Sequence, residues 1–122
     1  MYNDELTNKL NELTIDASSK VGWPSYVMTL VFDKDNADKK SFIKSDISYQ
    51  VMFDILFNSK KDIINDLSKK IKDICGNPKS IYELPNKLLH KIEKESMFYF
   101  LEELYVVEYP NYYVYYMIGN NE

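Results

Sequence analysis

LYVVEYPNYYVYYMI, residues 104–118, places two short runs of aromatic and β-branched side chains on either side of Pro110-Asn111. Such side chains fit a pleated, half-buried backbone, and proline followed by asparagine suits the two central positions of a β-turn. The expectation is a hairpin of Leu104–Tyr109 against Tyr112–Ile118. A period of two sorts the second strand, with Tyr112, Val114, Tyr116 and Ile118 on one face and Tyr113, Tyr115 and Met117 on the other. One face belongs to a core. The other would show two tyrosines and a methionine to water unless something covers it.

The same region is set apart by charge. Seven of the eleven tyrosines lie between Tyr99 and Tyr116, and no lysine follows Lys94. Residues 1–94 hold 15 lysines against 14 acidic side chains, a balance of +1. Residues 95–122 hold Glu95, Glu102, Glu103, Glu108 and Glu122 with no base, a balance of −5 that accounts for the net charge of −4. Tyrosine buries a large area with few rotatable bonds and keeps a hydrogen-bonding tip, while carboxylates beside it attract a basic surface. Glu102, Glu103, Tyr105, Glu108, Tyr109, Tyr113 and Tyr115 are therefore the candidate partner-binding residues.

Upstream, Pro85 is expected to open a helix with Leu88, Leu89 and Ile92 inward and Lys87, Lys91 and Lys94 outward. Its second half, Met97 to Tyr105, carries Phe98, Leu101 and Tyr105 on the opposite side. Ser80 and Glu83 have capping-box spacing, but Pro85 would break a helix begun there, so a short turn is expected. Ile63, Ile64, Leu67, Ile71 and Ile74 mark the buried stripe of a helix beginning at Lys60, capped by Asn58-Ser59 and stopped by Gly76. From Ile47 to Phe57 every odd position is apolar, and of the six even positions from Ser48 to Asn58 four are polar, which predicts a strand with one buried face over Ile47–Phe57. Tyr26 to Phe32 reads as a strand covered on both faces, followed by a charged loop over Asp33–Lys40 from which Ser41–Lys44 could pair back. Leu6, Leu10, Leu13 and Ala17 predict an amphipathic helix over about 3–18. The order is α-β-β-α-α-β-β, and the expected class is α+β, an antiparallel sheet packed by helices in one domain of 122 residues.

Familiar chemistry finds little support. The stretch from Asp33 to Asp38, with Asp33 and Asp35 at alternate positions, begins like a calcium loop, but Ala37 fills the fifth position, Asp38 stands where glycine makes the sharp turn, and Lys44 where a bidentate glutamate is needed. Cys75 falls on an apolar stripe at a helix C-terminus, where the dipole disfavours a thiolate, so it reads as a structural thiol. His90, the single histidine, sits among lysines with no nucleophile in a recognised pattern. The three glycines are scattered, so no phosphate loop forms, and adjacent Glu102 and Glu103 would not face one another on a helix. All 15 basic side chains are lysines. Without arginine's bidentate fork, and with lysines and aspartates mixed on the 60–75 helix, nucleic acid is not an expected partner. Neither a membrane span nor a secretory signal is expected, and a single cysteine fits a cytoplasmic setting.

In its size, acidity, composition of the kind AT-rich codons give (Lys, Asn, Ile and Tyr) and lack of catalytic groups, the chain resembles the small cytoplasmic immunity proteins of bacterial polymorphic-toxin and contact-dependent inhibition systems. That resemblance implies a non-enzymatic inhibitor without cofactor or metal, which occludes a basic toxin active site, often a nuclease's. Two other readings use the same physics: a phage or mobile-element inhibitor of a host nucleic-acid enzyme, and a homodimer whose tyrosine hairpin is covered by its own copy. An enzyme with a site outside the known motifs is a third.

Overall fold

The structure is a computed structural model that describes residues 2–22, 26–85 and 100–120. Helix α1 spans Asp4–Val21 and leads into strand β1, Tyr26–Asp33. Two 3-10 turns, Lys34–Asn36 and Lys39–Ser41, then bring the chain to the two-residue strand β2, Ile43–Lys44. Helices α2, Tyr49–Leu56, and α3, Lys61–Cys75, follow, and then strands β3, Ser80–Glu83, β4, Phe100–Glu108, and β5, Tyr112–Asn120. The five strands form one antiparallel sheet in the order β1-β5-β4-β3-β2, so the fold is α+β as its composition of elements implied.

The hairpin forms as its sequence predicts, with Glu108 opposite Tyr113 and Val107 opposite Val114. Tyr112, Val114, Tyr116 and Ile118 join the core under the helices, with Val27, Val31 and Val107 from the neighbouring strands. Leu10, Met52, Phe53, Ile64 and Ile71 close that core from α1, α2 and α3. Tyr113, Tyr115 and Met117 form a second cluster on the opposite face with Leu30, Leu104 and Val106. Strand β1 is covered on both faces, as expected.

Helix α1 also closes one edge of the sheet. β1 pairs with β5 on one side only, leaving outward amides that would otherwise invite another strand. The amides of Val27, Thr29 and Val31 donate to Ser18 Oγ at 2.8 Å, Asn11 Oδ1 at 2.6 Å and Thr7 Oγ1 at 2.9 Å. Those three acceptors recur at helical spacing, so the helix carries a polar stripe beside its apolar one and satisfies the backbone of an edge strand.

Several expectations are corrected. Residues 49–56 form a helix rather than part of a strand: Ser48 Oγ accepts from the Val51 amide at 3.1 Å, and Met52, Phe53 and Leu56 turn inward at helical spacing. Val51 and Ile55, expected on the buried face of a strand, are exposed. Asn58 and Ser59 do not cap α3. Both adopt left-handed φ, 52° and 55°, in the reversal after α2, and Lys60 holds the N-cap position without a side-chain bond. Gly76 terminates α3 at φ 90°, its amide on Lys72 O at 2.8 Å, and an added Cβ would lie 3.1 Å from Pro110 Cγ of the hairpin turn. Residues 80–83, expected as a turn, are a strand pairing with β4, and residues 43–44 pair with β3 rather than back with β1. From Phe100 onward the chain is strand rather than helix, with a register shift between Leu101 and Glu103. Most of the helix expected from Pro85, His90 included, lies outside the described residues.

Candidate functional site

On the helix-covered face, the strand period and the turn bring Tyr109 and Tyr116 beneath α2, whose first residue supplies Tyr49. The three phenols form a chain, with the Tyr49 hydroxyl 2.7 Å from that of Tyr109 and the latter 2.6 Å from that of Tyr116. Burial pushes Tyr49 up to about 12 despite the hydrogen bonds from the other two, and pushes Tyr109 and Tyr116 well above the ordinary range. All three stay neutral at physiological pH, so the chain holds hydroxyl to hydroxyl and stores no charge. Cys75 is buried in the same core, and burial lifts its thiol to about 11, which removes it as a nucleophile at neutral pH.

The opposite face is organised by the segment between β1 and β2. Lys34 Nζ lies 2.8 Å from Glu108 Oε2, and the Tyr82 hydroxyl donates to Glu108 Oε1 at 3.0 Å. The ammonium groups of Lys34 and Lys39 each sit 5.7 Å from the centre of the Tyr113 ring. The Phe42 ring lies 5.5 Å from that of Tyr82, 5.1 Å from Tyr113 and 6.1 Å from Tyr115. The lysine bond, followed by the Tyr82 hydroxyl, holds the Glu108 carboxyl below its usual range. Burial, then Glu108, raises Tyr113.

The candidate residues therefore divide. Tyr105, Tyr109, Tyr113 and Tyr115, expected at a contact surface, are buried within the chain at 6% exposure or less, because the sheet is covered on both faces. Glu108 is largely covered and engaged by Lys34 and Tyr82. Glu102 and Glu103 are exposed. Glu103 Oε2 accepts from the Tyr105 hydroxyl at 3.1 Å, and burial, then Glu103 and Glu83, raises that phenol to about 12. Glu83, absent from the candidates, thus joins an acidic edge at the end of β3 and β4. Opposite it in the sheet stands Ile43 with 55% of its surface exposed. Only the sheet register reveals Glu83 in this role, since 20 residues separate it from Glu103 in sequence.

A groove lined by Lys44, Ser45, Ser48, Lys79 and Ser80 has a volume of about 240 Å³. Among the described residues, no three acidic, histidine or cysteine side chains converge as metal ligands, and no helix is long and apolar enough to cross a membrane. Comparison of the chain with protein-family models, curated proteins and solved structures gives no match.

Proposed function

We propose that this protein is a non-enzymatic inhibitor that binds a basic protein, in the manner of an immunity protein neutralising its cognate toxin. The observation that carries the reading is the exposed acidic edge of Glu83, Glu102 and Glu103, two of which belong to the lysine-free last quarter of the chain. Carboxylates grouped in this way raise the encounter rate with a cationic groove and fix its orientation. Against a nuclease they would occupy the places of substrate phosphates. The half-exposed Ile43 beside Glu83 adds apolar area at the same edge.

Co-purification with the product of an adjacent reading frame encoding a basic toxin domain tests the pairing. In that complex, Glu83→Lys, Glu102→Lys and Glu103→Lys together should slow association at least about tenfold and flatten its salt dependence. An unchanged association rate and unchanged inhibition would remove the acidic edge from the interface.

A further inference from the structure

We infer that the hairpin face around Tyr113, Tyr115 and Glu108 is a recognition surface for a protein segment bearing lysine and an aromatic ring. In the free protein, residues 34–42 of the chain occupy that surface as an exchangeable internal ligand.

The contacts themselves define the chemistry. The face offers a carboxylate whose two oxygens take a lysine ammonium and a phenol, a tyrosine ring flanked by two ammonium groups, and an aromatic seat between Tyr82, Tyr113 and Tyr115. The strap supplies Lys34, Lys39 and Phe42 to these places. A segment that brings the same groups to the same places meets the same partners. Two spaced lysines and an aromatic on a basic protein are such groups.

The strap is built for release. No residue from 34 to 42 is buried, whereas Leu30, Val106, Tyr113 and Tyr115 of the strands beneath are. Its two 3-10 turns have no side-chain caps and contain no buried residue. Among the described contacts it is held by one ion pair, two cation–π contacts, the Lys34 amide on Asn111 O at 3.3 Å, and Ala37 and Phe42, both only partly buried against the face, and segments with so few buried apolar contacts open locally at far lower free energy than the core. A tethered segment competes at an effective concentration of roughly millimolar, so an outside ligand binds weakly until the strap is loosened. Loosening it removes that competition and tightens the outside ligand in proportion.

This rests on the proposed function in one respect, that the natural competitor is a segment of the protein partner. The test needs no partner, so either reading can fail alone. A fluorescent peptide of residues 33–44, DKDNADKKSFIK, is titrated into wild type and into the Phe42→Ala and Lys34→Ser variants, each checked for a cooperative thermal transition. The expected result is binding to Phe42→Ala at least about tenfold tighter than to wild type, lost when the peptide itself carries Phe42→Ala. Should Phe42→Ala lack the transition, Lys34→Ser, which alters a partly exposed side chain, is to show the same order of affinities. A folded variant that binds the peptide no better than wild type overturns the inference. So does equal binding of the peptide that lacks the ring.

Discussion

Tyr115 and Tyr116 are neighbours in the chain and point to opposite faces of the same strand, and the two faces are closed in different ways. Behind Tyr116 stand three helices with fully buried side chains and a chain of neutral phenols. Over Tyr113 and Tyr115 lies a charged strap with no buried residue, held by Lys34, Lys39 and Phe42. Burial of a tyrosine therefore has two meanings here. On one face it marks a core that any disturbance unfolds; on the other it marks a surface covered by a segment with its own local stability.

The largest contrast should come from the two phenylalanines. Phe53 is 1% exposed, stacks near Phe57 and meets Tyr116 edge-on at 5.6 Å. Phe53→Ala should cost about 3–5 kcal/mol in urea denaturation. Phe42→Ala, on the partly exposed strap, should cost about 1–2 kcal/mol. Equal losses would break the distinction between core and cover.

Next come the phenols. Tyr116→Phe removes one hydroxyl from the chain and leaves Tyr109 with a missing partner, at a cost of about 1–2 kcal/mol. The pH sign is fixed by the raised values of Tyr49, Tyr109 and Tyr116. Their contribution is whole below the ordinary tyrosine value near 10 and is lost as pH rises toward the folded-state values. In a spectrophotometric titration these phenols should ionise together with alkaline unfolding. Ionisation in the still-folded protein would mean that the chain is open to solvent.

The smallest effect belongs to Glu108. Its carboxyl is held below the usual range first by the Lys34 bond, so the stabilisation is present above the ordinary glutamate value near 4.3 and fades as pH falls through the depressed one. Glu108→Gln should cost about 1 kcal/mol at pH 7 and nothing in strong acid, where the wild-type carboxyl is itself neutral. An equal cost at both pH values would show that the ion pair contributes nothing beyond its shape.

Much of this was legible in the residues. The strict alternation of residues 112–118 sorts both faces of the hairpin, because side chains in a strand have a period of two and no other. Gly76 and the stripe of α3 were equally plain. Residues 47–57 misled because they are apolar at both periods. Met52 and Leu56, counted against the strand, are the helix's own inward positions, and Ser48 was the signal that decides, a cap three residues before Val51. The acidic edge was half visible: Glu102 and Glu103 could be named, but Glu83 joins them only through sheet pairing. The cover over Tyr113 could not be read. Phe42 sits in a charged stretch with no periodicity, and nothing local says that it folds back onto a strand some 70 residues later.

Native-state hydrogen exchange compares the two closures within one molecule. The Phe42 amide, bonded to Lys39 O, and the Lys34 amide, bonded to Asn111 O, report the strap; the Val31 amide, on Thr7 Oγ1, and the Met52 amide, on Ser48 O, report the helix side. If the strap is an exchangeable cover, the first two exchange through local opening that is insensitive to low denaturant, while the second two exchange only with global unfolding. Equal protection at all four amides, rising and falling together with denaturant, would show that the strap is core and contradict the account.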